Sequence, residues 1–174
     1  MQDNGHSHIS PDGQGENDAE KRRLLALLES SRKATLEALR GIDDYAIVHA
    51  DTNWRVKDVL GHLAAWEHEV FASIQAFMEH DEYTLGPDFD EQRYNTAAYE
   101  RRKELDPAQI RIDWAMVRGD IRFALRDMAP DQLVAPMRYP SGRTGTAAVL
   151  IQEIIDHEEE HLQDILAALR PSSS

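Results

Sequence analysis

The stretch VLIQEIIDHEEEHLQDIL, residues 149–166, decides the fold of this chain. Its apolar residues recur every three or four positions, which is the period of an α-helix with one buried face. His157 and His161 lie on that same face, one helical turn apart. The other members of the face are apolar: Leu150, Ile154, Ile165 and Leu169. Because a polar side chain buried without a partner is costly, the spacing predicts a helix whose two imidazoles share one partner.

Four segments of the chain carry apolar residues at helical spacing, and together they predict the fold. We expect helices from about Asp18 to Leu39, from Val56 to about His80, from Asp106–Pro107 through Met128, and from Thr144 or Thr146 to about Arg170. A shorter helix is expected from about Glu91 to Lys103, and no segment has a convincing strand pattern. Four amphipathic helices bury their stripes as an all-α four-helix bundle. The predicted core contains Val59, Leu63, Trp66, Trp114, Val117, Ile121, Leu150, Ile154 and Ile165.

The composition restricts the class of protein. The chain has 174 residues, no cysteine and a formal net charge of −13. This length fits one domain, which we expect over residues 17–170, between a disordered tail (1–16) and a disordered C-terminus (171–174). The negative charge argues against nucleic acids and anionic membranes as partners, because both favour basic surfaces. No apolar run reaches the ~20 residues that cross a bilayer and no signal peptide is seen, so we expect a cytoplasmic protein.

A third histidine extends the pattern of the last helix. His62 lies on the apolar stripe of the second helix, one turn before Trp66. Two histidines on one buried face and a third on another favour a metal site between two helices of a bundle. Since the chain has no cysteine, the ligands must be nitrogen or oxygen atoms. We therefore predict that His62, His157 and His161 bind a divalent metal ion, Zn, Ni or Fe, although copper suits the same ligands.

Three imidazoles leave a coordination position open, which is typical of catalytic rather than structural metal sites. In such a position a divalent ion lowers the pKa of a bound water or thiol. The remaining histidines carry less weight. His49 lies in a predicted loop, and His68 and His80 lie off the main helical stripe, so we expect all three to be solvated. His6 and His8 belong to the predicted tail, which cannot preorganise a site.

The segment from His157 to His161 also matches two other metal motifs. It has the form H-E-x-x-H of zinc metalloproteases, but neither histidine nor glutamate follows His161 to supply the third ligand. Glu158 and His161 also match one half of a di-iron carboxylate site, whose second Glu-x-x-His is missing. We therefore interpret the acidic run 158–160 mainly as a solvated helix face, one member of which could orient an imidazole.

Two segments of the chain resemble a known family. The segment WRVKDVLGHLAAWE (54–67) is similar to the second-helix motif of the DinB-like (damage-inducible) superfamily, and HEEEHL (157–162) resembles its closing H-x-x-x-H helix. The segment Arg93-Tyr94-Asn95 is similar to the middle part of uncharacterised members. The resemblance spans about residues 20–170. It implies a four-helix bundle with a three-histidine metal site, carried here by His62, His157 and His161.

The same resemblance implies a class of function. The family includes thiol-dependent S-transferases, mycothiol-dependent maleylpyruvate isomerase and many members without known activity, and its members often form homodimers. We expect an enzyme that activates a low-molecular-weight thiol or water at the metal and acts as an S-transferase or hydrolase on a small molecule. The substrate is expected near Trp66, Tyr94 and Trp114, of which Trp114 is more typical of core packing.

Two alternatives stay open on the sequence alone. The first is a non-catalytic bundle that binds a small molecule, or protects the cell from one, with a structural or vestigial metal. The second is a bundle in which the histidines only form hydrogen bonds.

Overall fold

A computed structural model of the protein describes residues 11–170. It contains five helices: α1 (Pro11–Ala38), α2 (Val56–Met78), α3 (Glu91–Arg102), α4 (Pro107–Asp127) and α5 (Ala147–Ala168). The short helix α3 lies in the connection between α2 and α4, and one 3-10 turn, Gln132–Val134, follows α4. The predicted all-α four-helix bundle is confirmed, with α1, α2, α4 and α5 as its members.

Side-chain caps explain where three of the helices begin. Asp106 caps α4, because its carboxylate accepts a hydrogen bond from the Ala108 amide at 2.8 Å and proline fills the first helical position. The Thr146 hydroxyl accepts from the Val149 amide at 3.3 Å and caps α5, so Thr146 rather than Thr144 starts this helix. Asp90 caps α3 in the same way. These caps fix the register of α4 and α5 relative to the loops before them.

Two small antiparallel hairpins precede the helices that carry the histidines. Strand β1 (Ile47–His49) pairs with β2 (Trp54–Arg55), and β3 (Pro136–Arg138) pairs with β4 (Thr144–Thr146). The expectation of no strands is therefore wrong, because strands of two or three residues are too short to show an alternating pattern in the sequence. Strand β2 runs directly into α2 and β4 into α5. The hairpins thus set the starting points of both histidine-bearing helices.

The four long helices enclose two apolar clusters. Helix α2 packs against α4 and α5, and α1 packs against α4 and α5, so each helix has two neighbours. One cluster lies around Leu28, Ile121 and Ile151, and the other around Leu60, Trp114 and Ile165. All the predicted core residues are buried except Trp66, which is half-buried. The helical stripes read from the sequence therefore define the core correctly.

The first helix begins earlier than the sequence predicts. Residues 11–16, which the sequence assigns to a tail, form the first turns of α1. Helix extension adds one hydrogen bond for each residue fixed, so a polar segment can continue a helix that the apolar stripe already holds. Residues 1–10, with His6 and His8, and residues 171–174 lie outside the described part of the chain. Within residues 11–170, no helix combines the length and the apolar character needed to cross a membrane.

Candidate metal centre

The structure brings His62, His157 and His161 together between α2 and α5. The Nε2 atom of His157 lies 3.2 Å from Nε2 of His62 and 3.1 Å from Nε2 of His161. His157 and His161 stand on consecutive turns of α5, and their ring centroids are 4.7 Å apart. The His62 ring reaches across from α2, with its centroid 5.1 Å and 5.0 Å from the other two. The three histidines predicted as ligands therefore bring one ring nitrogen each within 4.8 Å of the others.

This spacing suits one shared cation better than hydrogen bonds among the rings. A neutral imidazole has one N–H donor and one acceptor nitrogen. The single Nε2 atom of His157 therefore cannot make a well-aligned hydrogen bond with both of its neighbours. Two imidazole nitrogens that bind one tetrahedral Zn²⁺ at 2.0–2.1 Å lie about 3.3 Å apart. The observed separations of 3.1 and 3.2 Å are close to that value, so the donor set fits a divalent metal.

Burial keeps the three imidazoles in the neutral form that binds metals. Burial, followed by the nearby His157 and His161, lowers the pKa of His62 from 6.5 to about 3. Burial, followed by His161, lowers the pKa of His157 to about 4. Burial also lowers the pKa of His161, although the carboxylate of Asp164 opposes this shift. At neutral pH all three rings therefore have a free lone pair.

Two further residues flank the outer side of the cluster. Asp164 Oδ2 lies 3.3 Å from Nδ1 of His161, close enough to attract it although the pair does not meet hydrogen-bond geometry. A carboxylate in this position helps to orient a metal-ligating imidazole. His49, expected to be solvated in a loop, instead lies half-buried in β1 with a ring nitrogen within 4.8 Å of the ligand atoms of His161 and Asp164. The hairpin β1–β2 produces this proximity, which no local pattern could reveal.

A second buried polar cluster joins all four bundle helices. It consists of Arg32 on α1, Glu67 on α2, Arg118 on α4 and Glu158 on α5, which we call the charged quartet. Each member is at most 6% exposed. Arg118 donates hydrogen bonds of 2.5 Å to both glutamates, and Arg32 donates to Glu67 at 2.6 Å and to Glu158 at 3.0 Å. Two positive and two negative charges thus neutralise one another inside the bundle.

Trp114 closes one side of the charged quartet. The guanidinium carbon of Arg32 lies 3.7 Å from the centroid of the indole ring, and Arg32 also donates a hydrogen bond to the Trp114 carbonyl. Trp114 is fully buried, so the core role expected for it is the one observed. A stacked cation of this kind gains from the negative face of the ring as well as from burial.

The position of Glu158 corrects the interpretation of the acidic run. Glu159 and Glu160 are exposed, as expected, but Glu158 is only 1% exposed. The sequence did contain a signal for this burial. Glu158 stands at helical spacing from apolar residues that are all buried, namely Ile151, Ile155 and Leu162. Its counterpart Glu67 likewise lies on a buried face of α2, at helical spacing from the buried residues Leu63, Ala64 and Val70.

A cavity of about 250 Å³ opens beside His157. Its apolar wall is formed by Trp66, Val70, Phe89, Leu150 and Ile154, and its polar lining includes Glu91, Ser141, Arg143 and Glu153. The indole nitrogen of Trp66 donates a 3.0 Å hydrogen bond to Asn95 on α3, which holds the ring at the cavity wall. Trp66 is therefore half-buried because its ring lines this cavity, although it lies on the inward face of α2.

The other residues expected near the substrate, or expected to be solvated, have different roles. The Tyr94 hydroxyl donates to Glu69 at 2.7 Å, and its ring packs 4.8 Å from Trp66 without lining the cavity. His68 is partly exposed but has a ring nitrogen 2.7 Å from the Asp113 carboxylate, so it is paired as well as solvated. His80 is exposed, as expected.

Known proteins share the fold of this chain. A profile of the DinB superfamily matches residues 27–165. A crystal structure of a protein from Streptococcus pneumoniae is similar with a TM-score of 0.71 at 12% identity, over 84% of this chain and 88% of that one. An uncharacterised protein from Escherichia coli UTI89 gives a TM-score of 0.69 at 14% identity, over 84% and 91% of the two chains.

A third similar structure has a named activity. The crystal structure of the mycothiol-dependent maleylpyruvate isomerase gives a TM-score of 0.67 at 14% identity and covers 83% of this chain and 60% of that one. No curated protein sequence matches the chain. At these identities the structures establish the fold alone, whereas the profile covers most of the bundle and both histidine-bearing helices. The chain belongs to the DinB superfamily.

Proposed function

We propose that this protein is a metal-dependent enzyme whose divalent ion is held by His62, His157 and His161. The reaction is the attack of a low-molecular-weight thiol or of water on a small molecule, as in an S-transferase or a hydrolase. The observation that carries the proposal is the convergence of three Nε2 atoms, with contacts of 3.1 and 3.2 Å, beside a cavity that reaches His157.

Each part of the site has a role in this reaction. When bound, the divalent ion acidifies a thiol or water in the position that three imidazoles leave open. His62, His157 and His161 supply neutral donors because burial lowers their pKa values. Trp66, Phe89 and Ile154 line the approach with apolar surface, which excludes water and holds the body of a substrate. In thiol transfer the thiol loses a proton, its sulfur bonds to the electrophilic carbon, and the leaving group departs with the bonding electrons.

A non-catalytic bundle that binds or sequesters a small molecule is the second candidate. The cavity supports this candidate, because a pocket of about 250 Å³ with an apolar wall can bind a small ligand without turnover. In this case the metal would be structural or vestigial. Turnover by the metal-loaded protein that is lost on chelation and restored by added metal would favour the enzyme, whereas ligand binding without turnover would favour the sequestering protein.

Metal content is the first experiment. The purified protein and a variant with His62→Ala, His157→Ala and His161→Ala together are analysed for bound metals, with His68→Ala as the control because His68 lies outside the cluster. We expect about one equivalent of metal in the wild type and the control and none in the triple variant. Equal metal in all three proteins, or none in a wild type supplied with Zn, Ni and Fe, would refute the proposal.

The partners and location expected from the sequence stay predictions. A homodimer is tested by sedimentation equilibrium of the full chain, and a cytoplasmic location by fractionation of cells that express it. Neither outcome alters the metal experiment, because all three proposed ligands come from one chain.

A further inference from the structure

The mouth of the cavity beside His157 carries more negative than positive charge. Its lining side chains that are charged near neutral pH are Glu91, Arg143 and Glu153. Arg143 Nη2 donates hydrogen bonds of 2.8 and 2.7 Å to the two carboxylate oxygens of Glu153. This pair is neutral as a unit, which leaves Glu91 as the source of a net charge of about −1. None of the ion pairs formed within residues 11–170 includes Glu91.

The charged groups and the apolar wall occupy one continuous surface. Glu153 precedes His157 by one turn of α5, which is about 6 Å along the helix axis. Glu91 lies in the first turn of α3, next in sequence to Phe89 and the Asp90 cap. Trp66 and Phe89 contribute aromatic surface to the same cavity, with ring centroids 6.0 Å apart. A ligand that reaches His157 therefore has apolar contacts along its body and carboxylates near its outer end.

We propose that this cavity binds an apolar small molecule that carries an ammonium group, and that it discriminates against the same skeleton with a carboxylate. An ammonium group at the mouth gains the attraction of Glu91 and Glu153, and aromatic faces also attract cations. A carboxylate there meets the unpaired Glu91 and must compete with Glu153 for Arg143. The inference rests on the proposed function only in taking this cavity as the substrate pocket, and it specifies the substrate as an amine-bearing apolar compound.

The direct test compares two probes with one carbon skeleton and opposite charge. 4-Phenylbutylamine and 4-phenylbutyrate are titrated into the full-length protein by calorimetry near pH 7 at low ionic strength, with and without bound Zn²⁺. In the metal-free protein we expect the amine to bind about three- to tenfold more tightly, the effect of one or two exposed charge contacts. Raising the salt concentration should reduce the ratio, because both carboxylates are accessible to solvent.

Variants distinguish the effect of the cavity carboxylates from the effect of the protein's overall negative charge. Glu91→Gln should remove most of the preference for the amine. Glu91→Gln with Glu153→Gln also frees Arg143 from its carboxylate partner, so the double variant should bind the acid more tightly than the amine. Asp120→Asn is the matched control, because it loses the same charge from an exposed position of α4 outside the cavity. This control should keep the preference of the wild type.

Three results would overturn the inference: equal or tighter binding of the acid by the wild type, no binding of either probe at millimolar concentration, or an equal loss of preference in Glu91→Gln and Asp120→Asn. The assay needs neither metal nor turnover. Its failure would therefore leave the metal-site proposal standing, and an absence of metal would leave the charge preference of the cavity standing.

Discussion

The histidine cluster and the charged quartet are neighbours on α5, where His157 and Glu158 are consecutive, but their polar atoms are matched very differently. In the charged quartet, the positive and negative groups come from four helices and satisfy most of one another's hydrogen bonds. In the histidine cluster, three groups of the same kind direct the same atom at one point. The charges of the quartet balance one another, whereas the lone pairs of the histidine cluster leave a position that a cation would fill.

This difference separates residues that stabilise the folded bundle from residues that are proposed to give it a function. Removing one member of a buried ion pair leaves the other charged and unpaired, which is strongly destabilising. Removing one neutral imidazole leaves no unpaired charge, and it relieves the close approach of the ring nitrogens. We therefore expect substitutions in the charged quartet to cause large losses of stability. Substitutions in the histidine cluster should cause small losses of stability but remove the bound metal and the activity.

The largest effect is expected from Glu158→Ala. This change leaves Arg32 and Arg118 without one of their two carboxylate partners inside the bundle, and it should lower the free energy of unfolding by about 3–5 kcal/mol. Urea melts followed by circular dichroism measure the loss. Glu160→Ala, an exposed position two residues further on, is the control and should change stability by less than about 0.5 kcal/mol. Similar small losses in both variants would show that the charged quartet contributes nothing to stability.

Trp114→Ala tests the wall of the charged quartet. The indole is fully buried and carries the Arg32 guanidinium on its face, so the change creates a cavity and removes a cation–π contact. We expect a loss of about 3–5 kcal/mol, at the lower end if the neighbouring side chains collapse into the space. The same urea melts measure it, with Phe123→Ala as an exposed aromatic control on the same helix. A loss below about 1 kcal/mol would contradict the core role of Trp114.

Acidification should destabilise the metal-free protein through the histidine cluster. The pKa values of His62 and His157 are lowered from 6.5 to about 3 and about 4, so below pH 6.5 the unfolded chain binds protons that the folded chain does not. The contribution of these histidines to the free energy of unfolding is therefore complete above pH 6.5 and is lost as the pH falls toward 4. We expect the free energy of unfolding to fall by about 1–3 kcal/mol between pH 6.5 and 5. Melts at several pH values measure the slope. If the triple His→Ala variant has the same slope, other groups cause the acid sensitivity.

The smallest effect on stability is expected from His161→Ala. Without metal, this variant should keep its helical circular dichroism and unfold within about 1 kcal/mol of the wild type, because the apolar stripes hold the bundle. It should nevertheless lose bound metal and thiol transfer to a model electrophile. Full activity in the variant would contradict metal catalysis. Unfolding of the variant would instead place His161 among the residues that hold the bundle.

The sequence was most informative where a side chain's environment follows from helical period. The stripes of α1, α2, α4 and α5 predicted the bundle, because each helix must bury its own apolar face whatever its partners are. The same period placed His62, His157 and His161 on inward faces, and their convergence in space needed only that α2 and α5 be neighbours. The DinB motifs agreed with that reading, and the profile match over residues 27–165 established the family.

Tertiary structure alone decided the features that depend on pairs of distant residues. Arg32 and Arg118 are buried because Glu67 and Glu158 meet them from other helices, and 126 positions of chain separate Arg32 from Glu158. His49 approaches His161 because a two-stranded hairpin turns the chain back before α2. The cavity and its charged mouth likewise arise where α2, α3, α5 and the loop around Arg143 come together. The helical period of a sequence shows which face of a helix is buried. Which charged residues of other helices lie against that face, and where, is decided only by the packing of the helices.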